Sequence, residues 1–238
     1  MRVRVLGRFA VTRPGADVTP TGIQAQLLKA LVCGGRPMHW EEVVEVVWPG
    51  TGPKRGRIRL RNALSRLRGR CGPVAMRAGA MLMIPPEVGV DAVEFEALAQ
   101  RALEAGPSEE GLRLARQALE HYRGDLLPED RYLDWTMPFR ERLRRRFRGL
   151  VDLLASDARA RGDLEGALLL LERALADEPE DEGLALDTVE LLLALGRSGS
   201  AVRLLDRVRA ELDQQGVPVS ARWGDLRRQA RGPEQGAG

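Results

Sequence analysis

A dense run of cationic side chains lies between residues 54 and 70, where the sequence reads KRGRIRLRNALSRLRGR. Eight of these residues are Lys or Arg, and none is Asp or Glu. Guanidinium groups form paired hydrogen bonds with phosphates and with the edge of guanine, amides pair with adenine, and hydroxyls bond phosphates. The segment therefore has the side chains that contact with a polyanion requires, and nucleic acid is the polyanion that this set could read.

The leucines within the run indicate how it is presented. Leu60, Leu64 and Leu67 stand at i, i+4 and i+7, which predicts a helix from about Arg57 to Arg70 with one apolar stripe. With these leucines turned toward a core, the polar side chains face outward. The outward set predicted in this way is Arg57, Arg59, Arg61, Asn62, Ser65, Arg66 and Arg68.

A solvated basic face is the alternative interpretation of this run. No carboxylate in the stretch could form i,i+4 ion pairs, so the arginines of a merely solvated helix would repel one another. The helix also comes third in a series of short elements, which is the position of a recognition helix. Both observations favour contact with DNA.

The elements around the basic helix predict the N-terminal fold. Weak alternation in residues 2–11 predicts one or two short strands around Gly7. The further predictions are helices from about Thr21 to Val32 and Trp40 to Trp48, a loop over 49–56, and a hairpin over 74–84. Strand, three helices and hairpin is the order of a winged helix-turn-helix, whose last helix enters the major groove.

After Pro85-Pro86 the chain becomes almost entirely amphipathic helix, with helices predicted at 93–105, 109–122, 138–161, 164–177, 181–195, 198–214 and 219–230. An internal repeat appears at an offset of 34 residues, where Gly162 and Ala167 match Gly196 and Ala201. This is the tetratricopeptide period, in which helix pairs stack on their neighbours.

The predicted fold class is therefore an α+β winged helix-turn-helix followed by an all-α tetratricopeptide-like helical repeat domain. The predicted boundaries are 1–88 for the DNA-binding domain, 89–231 for the helical domain and 232–238 for a disordered tail.

Charge is divided unevenly between the two parts. Residues 1–90 hold 15 Lys or Arg and 5 Asp or Glu, a net charge of +10, whereas residues 91–238 hold 22 and 29, a net charge of −7. The basic part is the candidate for a polyanion. No apolar run reaches the roughly 20 residues that span a bilayer. We therefore expect no membrane partner. Cys33 and Cys71 lack paired spacing, which fits a reducing cytoplasm.

Other candidate sites are weaker. His39 and His121 have no Cys or His at metal-ligand spacing, so a capping or surface role is favoured over a metal site. A second basic run, residues 140–148 (RERLRRRFR), contains Glu141, so packing or a solvated face is favoured over DNA contact. The carboxylates around Pro179 indicate a helix start. Without a nucleotide-binding or nucleophile motif, we expect no enzyme, no metal and no cofactor.

The pattern LLKALV…WEEVVEVVW…RNALSRLRGRCGP, followed by GVDAVEFEAL, resembles the OmpR-type winged helix of Streptomyces antibiotic regulatory proteins. The stretch 119–138 (LEHYRGDLLPEDRYLDWTMP) and the helices after it are similar to the bacterial transcriptional activator domain. The resemblance implies a transcription activator that binds direct repeats head to tail and contacts RNA polymerase, with a possible homodimer on DNA.

The resemblance also implies roles for individual residues. The loop Pro49 to Gly56 would face the polymerase. Base contacts are implied for Arg61, Asn62 and Arg66, and phosphate contacts for Arg57, Arg59, Ser65 and Arg68. Arg77 in the wing would touch the backbone or the minor groove, and Arg55 completes the predicted DNA-binding set. The alternative function is a protein-interaction scaffold, in which the repeat domain binds a partner and the basic part is an accessory module.

Overall fold

The computed structural model describes residues 1–130, 132–179, 181–214 and 216–231, so the predicted tail at 232–238 lies outside the described residues. Packing divides the described chain into two units. The first holds residues 1–104 and 113–147, and the second holds residues 105–112 together with the chain from residue 148 onward. These are units of packing, and the sequence-domain boundary between residues 88 and 89 stays a prediction.

Short strands form two sheets in the first unit. The strands are β1 (Arg2–Arg4), β2 (Ala10–Arg13), β3 (Ala16–Asp17), β4 (Met38–His39), β5 (Met76–Ala78), β6 (Met81–Met83) and β7 (Gly89–Val90). One sheet has the order β3-β2-β1-β7, antiparallel except for the parallel pair of β1 and β7. Strands β1 and β2 were predicted, whereas the two-residue strands β3 and β7 are too short to show a period of two.

Three helices and the second sheet follow the predicted order. The helices are α1 (Gly22–Gly34), α2 (Trp40–Val47) and α3 (Pro53–Cys71), and the second sheet is the antiparallel set β4-β6-β5. Leu27, Val43 and Leu67 are among the buried side chains of this helical group. The predicted hairpin is confirmed as β5 and β6, and β4 is an additional strand that pairs with β6.

The predicted start of the third helix was wrong. The helix begins at Pro53 and not near Arg57, so residues 53–56 of the predicted loop are helical. Proline is compatible with the first turn of a helix, because the N–H that it lacks would have no partner within the helix. The loop between α2 and α3 is correspondingly short, and it contains Pro49 to Gly52.

The second basic run serves to pack the first unit. It lies on α6 (Met137–Ala160), which follows α4 (Asp91–Ala105) and α5 (Glu109–His121). Arg140 is 2 % exposed, and its Nη2 donates to the carbonyl oxygen of Leu126 at 3.0 Å. Arg144 donates to the carboxylate of Asp125 at 2.8 Å. The predicted packing role is confirmed for Arg140 and Arg144.

The second unit is a series of helices in which each packs against the next. After the end of α6 come α7 (Leu164–Asp177), α8 (Glu182–Ala194), α9 (Ser198–Gln214) and α10 (Ala221–Arg231). Gly162 and Gly196 precede equivalent helices with φ of +77° and +72°, a left-handed conformation that favours glycine. Asp181 caps α8 by accepting from Leu184 N at 2.9 Å, as predicted for the acidic helix start.

A buried carboxylate joins the first sheet to α4. Asp91 is 4 % exposed and accepts hydrogen bonds from the amides of Val5 at 2.9 Å, Leu6 at 3.2 Å and Ala92 at 2.8 Å. One side chain therefore fixes the end of β1 and the start of α4 at the same time. Burial raises the pKa of Asp91 to about 6, against the lowering effect of its three backbone hydrogen bonds.

We expect Asp91→Ala to lower the free energy of unfolding by about 2–4 kcal/mol, because three buried amides lose their shared acceptor. Asp91→Asn keeps one oxygen acceptor and should lose less. Urea denaturation of the full chain at pH 7 measures both values. An unchanged midpoint for Asp91→Ala would contradict the anchoring role.

The pKa of Asp91 also predicts how stability varies with pH. Its folded value of about 6 exceeds the ordinary value of 3.8, so the folded chain binds a proton that the unfolded chain releases between these values. The stabilising contribution is complete below pH 3.8 and is lost as the pH rises through about 6. Across this range, the denaturation midpoint of the natural chain should therefore fall relative to that of Asp91→Asn.

Candidate nucleic-acid interface

The buried face of α3 differs in part from the predicted leucine stripe. Leu60 and Leu67 are buried as predicted, but Leu64 is only half-buried at the edge of the face. The full buried stripe is Gly56, Leu60, Ala63, Leu67 and Cys71. At roughly 100° per residue, Leu64 lies about 60° from the middle of this stripe, which accounts for its half-buried position.

Both ends of α3 are fixed to other elements of the unit. Near its start, Gly56 packs so closely on α2 that an added Cβ would lie 2.5 Å from Cγ1 of Val44. At its end, the Cys71 thiol donates to the carbonyl oxygen of Val18 at 3.2 Å. Arg70 Nε donates to the carbonyl oxygen of Thr19 at 2.9 Å. The open face of the helix is therefore held in one orientation.

The open face has a neutral line between two rows of arginine. At roughly 100° per residue, the positions opposite the buried stripe are Ile58, Asn62, Ser65 and Gly69. The row on one side is Arg57, Arg61 and Arg68. The row on the other side is Arg55, Arg59 and Arg66. We call these the central line, the hairpin-side row and the α1-side row.

The hairpin-side row lines a cleft of about 670 Å³ between α3 and the β5–β6 hairpin. Trp40, Leu64 and Leu82 form its apolar part, and the Arg57 guanidinium lies 6.0 Å from the centre of the Trp40 ring. Arg77 lines the same cleft, and its Nε donates to the carbonyl oxygen of Gly79 at 2.6 Å. Four guanidinium groups thus border one groove.

The α1-side row lies beside a different cleft. Arg59 and Arg66 line a second cleft of about 490 Å³ together with Asn62, Ile23 and Trp48. Arg59 also donates to Thr51 Oγ1 at 3.3 Å. This contact ties the row to the loop that precedes the helix.

All nine predicted site residues are exposed: Arg55, Arg57, Arg59, Arg61, Asn62, Ser65, Arg66, Arg68 and Arg77. Eight lie on α3 and one on β5, within the same unit. Their surface is strongly positive, because α3 itself contains no acidic residue. The binding of DNA to this surface stays a prediction.

Sequence reasoning missed Ile58, an apolar side chain that is 54 % exposed in the middle of this charged face. Its signal is present in the sequence, since Ile58 stands only two residues before Leu60 and cannot share the buried stripe. Trp40 was predicted to start a helix, and its position beside the hairpin-side row could not be read from the sequence.

The two histidines have partners that fit ordinary structural roles. His39 caps α2, because its Nδ1 accepts from the amide of Glu41 at 3.4 Å, and this confirms the predicted capping role. His121 Nδ1 lies 3.2 Å from a carboxylate oxygen of Glu94. Within the described ranges, no group of three or more His, Cys, Asp or Glu is placed to hold a metal ion. The helices described there are all too short or too polar to cross a membrane.

Comparison with known proteins identifies the helical part of the chain. The family model for the bacterial transcriptional activator domain matches residues 90–231. No curated protein matches the chain.

Among solved structures, the chain is similar to Mycobacterium tuberculosis EmbR in complex with a low affinity phosphopeptide. The identity is 21 % and the TM-score 0.68, over 97 % of this chain and 64 % of that chain. This likeness shows a shared fold, and the chain spans less than two thirds of the length of that protein.

The packing of Gly56 generates a test of how α3 is held. Replacing a glycine inside a helix with alanine ordinarily stabilises by about 0.5–1 kcal/mol. We expect Gly69→Ala to follow that rule, because nothing lies within 4 Å of its added Cβ. Gly56→Ala should instead destabilise by about 1–3 kcal/mol, because the methyl group meets Val44.

The double variant Gly56→Ala/Val44→Ala measures the source of the loss, since the second substitution removes the atoms that collide. In a double-mutant cycle, the double variant should lose less free energy of unfolding than the two single variants lose together. Additive effects, or equal effects of Gly56→Ala and Gly69→Ala, would show that the close approach is not what positions α3.

Proposed function

The chain belongs to the bacterial transcriptional activator domain family, and we propose that it is a sequence-specific DNA-binding transcription regulator acting as an activator. The observation that carries this proposal is the open face of α3, where six arginines flank a neutral line and no carboxylate intervenes. Such a surface has the charge for phosphates at its edges and the side chains for base edges at its centre.

We propose that the first unit contains an OmpR-type winged helix-turn-helix, with α3 as the recognition helix and β5–β6 as the wing. A helix is about 10–12 Å in diameter, and the major groove is about 12 Å wide, so the groove admits α3. With the central line against the base pairs, the two arginine rows reach toward the phosphates of the two strands.

The helical geometry supports some of the implied roles and revises others. Asn62 lies on the central line, where an amide can pair with adenine. Arg55, Arg61 and Arg66 are the arginines nearest that line, which favours contact of Arg61 and Arg66 with guanine and places Arg55 within reach of the bases. Ser65 was implied as a phosphate ligand, but its place on the central line favours a base contact. Ile58 adds an apolar surface suited to the methyl group of thymine.

The remaining arginines suit phosphate contacts. Arg57, Arg59 and Arg68 lie further round the helix toward the buried face, so their side chains would extend along the walls of the groove. Arg77 approaches the same region from the hairpin. Neutralising several phosphates would supply most of the affinity and would make binding strongly dependent on salt.

The proposal extends to how the regulator acts. Two copies would bind direct repeats head to tail, forming a homodimer on DNA in the cytoplasm, at the nucleoid. The loop from Pro49 to Gly52 would contact RNA polymerase, in place of the longer loop expected from the sequence. The turn is ordered in a way that suits this role, since Glu45 accepts from the amide of Gly50 at 3.3 Å.

Arg66 and Arg68 are predicted to contribute to DNA binding in different ways. With the operator located by genomic footprinting, fluorescence anisotropy measures the affinity of the full chain for cognate and scrambled duplexes. Arg66→Ala should lower the preference for the cognate duplex by about tenfold or more, the equivalent of roughly 1–3 kcal/mol. Arg68→Ala should weaken both complexes alike and flatten the salt slope by about one unit.

Arg116→Ala is the matched control, because Arg116 is exposed on α5 and equals the others in charge. It should change neither the preference nor the slope. Equal affinity of the unaltered chain for cognate and scrambled duplexes would contradict sequence specificity. Failure to bind any promoter duplex at low salt would contradict DNA binding and would favour the interaction scaffold.

The full chain is needed for these measurements. A fragment ending at residue 90 would lose Asp91, the acceptor for the amides of Val5 and Leu6. It would also lose residues 113–147, which belong to the same packing unit.

A further inference from the structure

A second group of arginines borders a polar cleft away from the open face of α3. The cleft has a volume of about 460 Å³ and lies beside the connection between β1 and β2. Arg4, Arg8 and Arg123 all line it. None of them belongs to the predicted DNA-binding set.

Backbone hydrogen bonds bring these three residues together although they are far apart in the sequence. Arg4 pairs with Ala10 in the sheet, and Arg8 lies in the connection that follows. The segment after Arg123 runs against this connection: the amide of Gly7 donates to the carbonyl oxygen of Asp125 at 2.9 Å. The amide of Leu127 donates to the carbonyl oxygen of Val5, also at 2.9 Å. The cleft is therefore built on ordered backbone.

The guanidinium groups in the cleft make no direct hydrogen bond or close ion pair with the described residues. Arg4 Nε is buried without a hydrogen bond there, and the side chains of Arg8 and Arg123 form no hydrogen bond or ion pair within the same ranges. Arg2 of the same strand as Arg4 does have a partner, since it pairs with Glu94 at 2.9 Å. Arg8 and Arg123 are exposed, so their guanidinium groups are available to a ligand in the cleft that accepts hydrogen bonds.

Asp17 is the carboxylate among the residues that line the cleft. Its Oδ1 accepts from the amide of Thr19 at 2.8 Å and from Thr19 Oγ1 at 2.5 Å. These hydrogen bonds lower the pKa of Asp17, and the charges of Arg4 and Arg8 lower it further. Asp17 is therefore ionised at neutral pH and offsets one of the three positive charges, which leaves the cleft with a net charge of about +2.

We propose that Arg4, Arg8 and Arg123 form a binding site for a phosphoryl group. Guanidinium forks match the geometry of phosphate oxygens, and three of them at one cleft can engage several oxygens at once. The volume exceeds that of a single phosphate and falls in the range of small-molecule sites, roughly 300–1,000 Å³. The favoured ligand is a small phosphorylated compound with more than one negative charge.

DNA is the second possible source of the same phosphoryl chemistry. Thr19, which lines the cleft, also accepts a hydrogen bond from Arg70 in the last turn of α3. A duplex bound along α3 could extend to this end of the helix and place a backbone phosphate in the cleft. The experiment therefore needs an arm for each source, and its first arm does not depend on the proposed binding of DNA.

The first arm titrates inorganic pyrophosphate into the full chain by calorimetry. The test variant is Arg8→Gln/Arg123→Gln, since both side chains are exposed and their loss should leave the fold intact. The matched control is Arg116→Gln/Arg145→Gln, which removes equal charge from exposed positions on α5 and α6. We expect one pyrophosphate per chain, with affinity lowered about tenfold or more in the test variant and unchanged in the control.

The second arm measures the salt slope of duplex binding for the same variants. An unchanged slope together with pyrophosphate binding assigns the site to a free phosphorylated compound. A slope lower by about two units in the test variant alone, with pyrophosphate competing against DNA, assigns it to the DNA backbone. The proposal is overturned if the test and control variants lose pyrophosphate affinity equally, or if neither pyrophosphate binding nor the salt slope responds to the cleft substitutions.

Discussion

The buried guanidinium of Arg140 is the group on which the arrangement of the first unit depends. Its nitrogens lie within hydrogen-bonding reach of the carbonyl oxygens of Leu126 at 3.0 Å, Leu127 at 3.5 Å and Asp130 at 3.5 Å. Asp125 supplies the counter-charge at 3.3 Å. A buried cation must be paired and fully hydrogen-bonded. The loop over residues 125–130 is therefore constrained to turn its carbonyl groups toward Arg140. Leu127 adopts φ of +45° within that turn.

This turn contacts both the first sheet, at the end of β1, and helix α1. Because the loop is fixed, its backbone can pair with the end of β1, where Leu6 and Leu126 form a bridge. The same loop presents Asp130 to Lys29 of α1 at 2.5 Å. Helix α1 in turn packs on α2 and α3. The orientation of the open face of α3 therefore rests on a charge that lies outside the three-helix group.

The sequence predicts most of the helices because their apolar periods are long and regular. It failed where a tertiary contact outweighs the local pattern. Helix α3 begins at Pro53, inside a stretch rich in Gly and Pro that predicts a loop, and the half-buried position of Leu64 depends on which line of the helix meets the core. The cleft of Arg4, Arg8 and Arg123 could not be predicted at all, because its members meet only through the pairing of a loop with β1.

The basic runs on α3 and α6 show that arginine has two different roles in this chain. On α6, arginines find carboxylates that are distant in sequence, as Arg144 finds Asp125 and Arg142 finds Glu96. On α3, the arginines face outward in a helix that contains no acid. An exposed ion pair contributes only about 0–1 kcal/mol, whereas a buried charge that loses its partner costs roughly 3–5 kcal/mol. Leaving the arginines of α3 unpaired therefore costs the fold little. Their hydrogen-bonding groups stay available to a ligand, whereas those of Arg140 are already used within the protein.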